Sequence, residues 1–232
     1  MYRSALLTSL FALSCATADT KEGDSGAEII AGPPIEATVR ILDATTGGGV
    51  ADVSVEHSAG DTTTTNSAGT ATVTVTGNST FEILLQKEGF IDHILFGPTA
   101  EEDFEYVTFL ASQMMVDMVL SMMSISPGPD TGVVIVGIDY DDLRPAVGAS
   151  ASIDLAHDNP WVISGNMMPM ESDTIMAGGM GMVAFSSVPP GDVSVSVTPP
   201  ADADCTAFPG GGEMPQAPVA ASQVTVVTFH CR

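Results

Sequence analysis

Residues 66–78 read Asn66-Ser67-Ala68-Gly69-Thr70-Ala71-Thr72-Val73-Thr74-Val75-Thr76-Gly77-Asn78. A cluster of turn residues opens the stretch and Gly77-Asn78 closes it. Between them Ala71, Val73 and Val75 alternate with threonines. A period of two sends successive side chains to opposite faces of an extended chain, so this segment predicts a strand with one buried and one wet face. Val and Thr fit a pleated, half-buried surface well.

The same grammar extends in both directions. Downstream, Phe81, Ile83 and Leu85 alternate after Gly77-Asn78, and residues 91–96 and 106–110 supply two further runs. Upstream, Val39 and Ile41 mark a first strand that ends at the turn Asp43-Ala44-Thr45-Thr46-Gly47-Gly48-Gly49. Val53 and Val55 mark a second strand, and residues 62–65 a Thr-rich run. Seven short strands punctuated by turns across residues 35–110 predict an antiparallel β-sandwich.

Residues 112–124 change period. Gln113, Asp117, Ser121 and Ser124 recur at helical spacing as one polar stripe, and Met114, Met115, Met118, Val119, Met122 and Met123 occupy the other faces. This predicts a short connecting helix within 111–126, buried on most sides between two modules. Its polar face lacks the Lys/Arg enrichment of a membrane-surface helix, and Met commonly fills irregular apolar gaps. Pro127-Gly128-Pro129-Asp130 breaks the chain. A second β-rich module over 131–232 begins with Val133-Val134-Ile135-Val136-Gly137-Ile138, with strands over 149–155, 182–185, 193–197 and 224–229. Residues 164–181, rich in Met, Gly and Pro, read as a surface loop. The fold class is therefore all-β: two antiparallel sandwich modules and one short α-helix.

The N-terminus reads as an export signal. Arg3 precedes the short apolar run at residues 5–13, which is too short to span a bilayer as helix. Ala12-Leu13-Ser14-Cys15 resembles a bacterial lipobox, making Cys15 the expected lipid-attachment residue after a signal peptide of residues 1–14. The competing cut follows Ala16-Thr17-Ala18 and would discard Cys15, leaving a secreted protein. Residues 15–34 read as a flexible tether ending at Pro33-Pro34. The expected location is the cell envelope, at the outer membrane through the lipid anchor. Cys205 and Cys231 remain as an even pair. In an oxidising compartment they are a disulfide candidate, with two free thiols as the other reading.

With 29 acidic residues against six Lys and Arg, the net charge is −23. Such a chain repels phosphates, which excludes nucleic acid as a partner. Catalytic signatures are missing: there is no H-E-x-x-H, G-x-S-x-G or phosphate-binding loop, and His57, His93, His157 and His230 are scattered. Asp139, Asp141 and Asp142 lack the ligand series of an EF-hand, so a solvated turn is preferred to a Ca²⁺ site. Met167, Met168, Met170, Met176, Met180 and Met182 could ligate a soft ion such as Cu(I), but no Cys joins them and ordinary packing is preferred. No metal or cofactor is expected. With Trp161 as the only Trp, the signal for carbohydrate stacking is poor.

Both modules resemble carboxypeptidase regulatory-like domains, which are small transthyretin-like (prealbumin-like) sandwiches. In the first module the resemblance lies in residues 39–43, in Gly47-Gly48-Gly49, in Val50-Ala51-Asp52-Val53-Ser54-Val55, in residues 63–69 and in Lys87-Glu88-Gly89-Phe90. In the second it lies in residues 136–139, residues 147–151 and Phe185-Ser186-Ser187-Val188-Pro189-Pro190-Gly191. There, Pro and Gly together predict a tight reversal between two strands. The resemblance implies a fold rather than an activity. The expected function is non-catalytic: an exported lipoprotein with a structural or adhesive role, held to the membrane by its lipid and meeting an envelope protein or glycan. The alternative is a ligand-binding sandwich for carbohydrate, peptide or metal.

Overall fold

A computed structural model describes residues 32–232, apart from Ala59 and Met167. The signal peptide, the lipobox with Cys15, the alternative cut after Ala18 and nearly all of the tether lie outside the described residues.

The strands of the first module are β1 (Pro34–Asp43), β2 (Ser54–His57), β3 (Thr62–Thr64), β4 (Thr70–Thr76), β5 (Thr80–Gln86), β6 (His93–Pro98) and β7 (Phe104–Leu110). The threonine-valine alternation becomes β4, with Ala71, Val73 and Val75 buried and Thr72, Thr74 and Thr76 exposed. Its register on β1 places Thr38 opposite Thr72, and their hydroxyls lie 3.3 Å apart on the wet face. The preceding turn is held by Asn66, whose side-chain oxygen accepts from the amides of Ala68 and Thr70. Gly69 ends that turn at φ +78°, and a Cβ there would collide with the Ile41 carbonyl, so the position needs glycine.

Sheet β4-β1-β7 packs on β6-β5-β2-β3, and the core between them includes Val39, Ile41, Ile83 and Leu85, all fully excluded from water. Burial of each such side chain is worth about 1.5–3 kcal/mol.

After α1 (Gln113–Met122), the second module contributes β8 (Gly132–Tyr140), β9 (Ser150–Ile153), β10 (Trp161–Ile163), β11 (Pro169–Glu171), β12 (Met182–Val188), β13 (Gly191–Val193), β14 (Val195–Thr198), β15 (Cys205–Ala207), β16 (Ala217–Val219) and β17 (Val224–Cys231). Its main layer runs β11-β10-β12-β8-β17, faced by the separate pairs β9–β14 and β13–β16. The Pro189-Pro190-Gly191 reversal does turn the chain, but it leads out of the main layer, because β13 pairs with β16 and not with β12.

The architecture is an all-β sandwich fold. The structure departs from purely antiparallel sheets at three pairings. β7 lies parallel to β1, and β17 lies parallel to both β8 and β6. Parallel strands usually have cover on both faces; β17 and β6 have it, whereas β1 and β7 keep one wet face that carries Glu36, Arg40, Glu105 and Phe109. β6 is buried along nearly its whole length, with Leu95 in the first core and Phe96 in the second.

By pairing with β8 and β6, β17 fuses the two modules into one ten-stranded sheet. Its side chains divide by parity. Val224 and Val226 enter the first core, whereas Val227, Phe229 and Cys231 enter the second.

The helix differs from its expected setting. Ser112 caps it, accepting from the Met115 amide at 3.2 Å, and Gln113 donates to Asp117 one turn on. Only Val119 is buried, however, and Met114 is 81% exposed, with Met118 and Met122 also on the surface. The helix lies against one sheet face instead of filling a core, so one narrow stripe suffices for its packing.

Candidate functional site

A groove with a volume of about 450 Å³ lies between the modules. Its floor is the sheet face that β8 and β17 turn away from the second core. On β8 this face carries Val133, Ile135, Gly137 and Asp139. On β17 it carries Val224, Val226, Thr228 and His230. The parallel register sets these side by side, Gly137 beside Thr228 and Asp139 beside His230. One wall is β7, through Val107 and Phe109, and the roof is α1, through Met115, Val116, Val119 and Leu120. Trp161, Ile163, Met180 and Met182 close the far side, where Trp161, Ile163 and Val119 form a small apolar cluster.

The walls are almost wholly apolar, and the polar groups gather around Asp139. Its carboxylate has no hydrogen-bond donor or cation partner among the described residues. Burial alone pushes its pKa from 3.8 up to about 7. Gly181 makes room for it, since a Cβ at that position would strike the carboxylate oxygen. The Tyr106 hydroxyl lies 2.7 Å from the Thr228 hydroxyl, and full burial raises the phenol well above its usual value. His230 stacks on Phe208 at a centroid distance of 4.0 Å, with Nδ1 3.5 Å from an Asp141 oxygen. Its pKa is lowered, first by burial and against the pull of Asp141. His93, also on the groove, is driven down to about 4 by burial, and its Nδ1 donates to the Ile91 carbonyl at 2.9 Å. The groove thus combines a carboxylate without a counter-charge and two histidines whose neutral forms burial favours.

The other residues singled out in the sequence are dispersed. Asp141 pairs with Arg232 at 2.9 Å and Asp142 with Arg144 at 2.6 Å, so the three aspartates do not converge. Among the described residues, no group of three or more His, Cys, Asp or Glu is placed to hold a metal ion. The methionines also part company. Met168 and Met170 are exposed, Met176 packs on the second core, Met180 and Met182 line the groove, and Met167 lies outside the described residues. His57 is buried in the first module with Nδ1 unpartnered among the described residues, and His157 is exposed, its ring edge-on to Phe185. Trp161 is buried and donates to the Ser186 hydroxyl at 3.1 Å. Cys205 and Cys231 sit opposite each other on β15 and β17 and are joined as a disulfide.

The groove was missed by sequence reasoning, although part of its signal was there. Asp139 falls in phase with Val133 and Ile135, and His230 in phase with Val224 and Val226. Each is a polar residue on an otherwise apolar strand face. That the two strands lie side by side could not be read from either one.

No protein-family model matches the chain, and no curated protein matches it either. Solved structures that match the chain include the Bacillus anthracis TIE protein, at 9% identity and a TM-score of 0.30 over 85% of this chain and 34% of that one. The chain therefore spans about a third of that protein. GBS52, the minor pilin of Streptococcus agalactiae, is similar at 12% identity and a TM-score of 0.30, covering 85% of this chain and 95% of that one. A single-site mutant of the major pilin of Streptococcus pyogenes matches at 9% identity and a TM-score of 0.30 over 86% and 98% of the two chains.

Proposed function

We propose that this chain is a non-catalytic exported protein with a structural or adhesive role at the cell envelope, anchored at the outer membrane by lipid on Cys15. The observation that carries this reading is β17. By serving both cores at once and being tied to β15 by the disulfide, it supports two sandwiches acting as one stiff body. Stiffness under load is what a stalk or adhesive element needs, and a disulfide suits an oxidising compartment. The large negative charge favours a hydrated surface that resists self-association.

The test is fractionation of producing cells followed by mass spectrometry of the mature N-terminus. The expected product begins at a lipid-modified Cys15 in the membrane fraction. Recovery of a soluble cytoplasmic protein retaining Met1 would reject the proposal, and a soluble exported chain beginning at Asp19 would reject the anchor alone. A glycan partner is less well supported than a protein partner, because Trp161 is buried and held to Ser186. A glycan array and a pull-down from envelope extract separate the two.

A further inference from the structure

We propose that the groove between the modules is a binding site for a small amphipathic cation, an aliphatic chain ending in an amine, with the ammonium group against Asp139 and the chain along the apolar floor. The inference goes beyond the envelope role and does not depend on it. Its volume of about 450 Å³ falls within the size range of small-molecule sites, about 300–1,000 Å³. Such sites pair apolar walls with a few convergent polar groups, which is the arrangement seen here.

The choice of occupant follows from charge. The elements packed around Asp139 offer it no cation: the turn bridged to it through Pro145 carries Arg144, which is paired with Asp142 at 2.6 Å. β7 offers the neutral phenol of Tyr106, already engaged with Thr228, and β17 offers His230, whose charged form is disfavoured by burial. The segment preceding β12 offers Gly181, with no side chain. Asp141, beyond His230, is itself an acid and is occupied by Arg232. His93 is neutral near physiological pH. A half-buried carboxylate without a donor is costly, and a ligand that brings both a positive charge and N–H donors removes that cost. A fatty acid would place a second anion beside the first. An alcohol would supply one donor without the charge. The apolar stretch of Ile135, Val119, Trp161 and Ile163 then receives the chain.

Trp161 is the only tryptophan and lines the groove, so its emission reports occupancy directly. The experiment titrates the full chain with decylamine, decanol and decanoate at high salt, which screens attraction to the acidic surface. The pH is held about one unit above the Asp139 value. Decylamine is expected to bind about tenfold more tightly than decanol, the worth of one charge-assisted contact, and decanoate most weakly. In Asp139→Asn the preference for amine over alcohol disappears while decanol still binds. In Val116→Phe, which fills the groove under the helix, all three ligands weaken together, with circular dichroism confirming the fold. Equal binding of the three ligands, tightest binding by decanoate, no saturable change in emission, or an amine preference unchanged in Asp139→Asn would each overturn the proposal.

Discussion

The two sandwiches solve the same packing problem with different means. The first has a ten-residue central strand, β1, paired on both edges by seven-residue strands, β4 and β7. Its two layers close through long ladders. The second has a comparable core but a broken outer layer, made of the pairs β9–β14 and β13–β16, whose strands have only three or four residues. Its stability depends more on side chains and on a covalent tie. The disulfide joins β15 to β17 at its edge, and β17 is shared with the neighbour. Where ladders are short, side-chain packing and covalent closure substitute for them.

The largest effect is expected from Val227→Asp. Val227 is fully buried in the second core, and an unpaired carboxylate there should cost more than about 4 kcal/mol. Because β17 also supports the first module, denaturant unfolding should show both modules weakened, in Trp161 emission and in far-ultraviolet circular dichroism alike. A first module that unfolds at its original midpoint would show that the shared strand carries no mutual support.

Next in size is Asp139→Asn, which tests the groove between the modules. The Asp139 pKa is raised from 3.8 to about 7, so the folded state holds its proton more tightly than the unfolded chain. The associated stability is present below about pH 4 and is lost as pH rises to about 7. The variant should therefore match the parent near pH 4 and exceed it well above pH 7 by up to about 4 kcal/mol in thermal melts. His93 acts in the opposite sense in both proteins. Its value is lowered from 6.5 to about 4, so its contribution is full above pH 6.5 and fades on acidification. The difference between variant and parent isolates the aspartate.

Cys205→Ser with Cys231→Ser follows. Releasing a loop with a sequence separation of 26 residues should cost about 3 kcal/mol. Hydrogen exchange should then report faster opening of β10 and β12, with β1 and β4 protected as before. Equal loss of protection in both modules would mean that the tie serves the whole body and not its weaker half.

The smallest effect belongs to the helix. Met114 is 81% exposed, and Met114→Gln should change the melting free energy by less than about 0.5 kcal/mol. A larger loss would restore the buried-helix reading.

The individual strands were legible because burial on one face imposes a period of two on the residues themselves. The alternations at residues 71–75 and 81–85 appear as β4 and β5, with the expected side chains inside. The connecting helix was legible in its period but not in its burial, because Met is compatible with a core, a groove and a surface. The candidate site was barely legible: Asp139 and His230 are 91 residues apart in the chain and meet only through the parallel register of β8 and β17.

Sequence alone thus determined the β-rich class, the segmentation into short strands, the helix and an even pair of cysteines available for a disulfide. These follow from local periodicity and composition, which each segment carries by itself. Tertiary structure decided which strands became neighbours, that the last strand completes both modules, and that a carboxylate has no partner among the described residues in an apolar groove. Strand pairing and burial of a charge are properties of segments brought together from distant parts of the chain, and no local pattern encodes them.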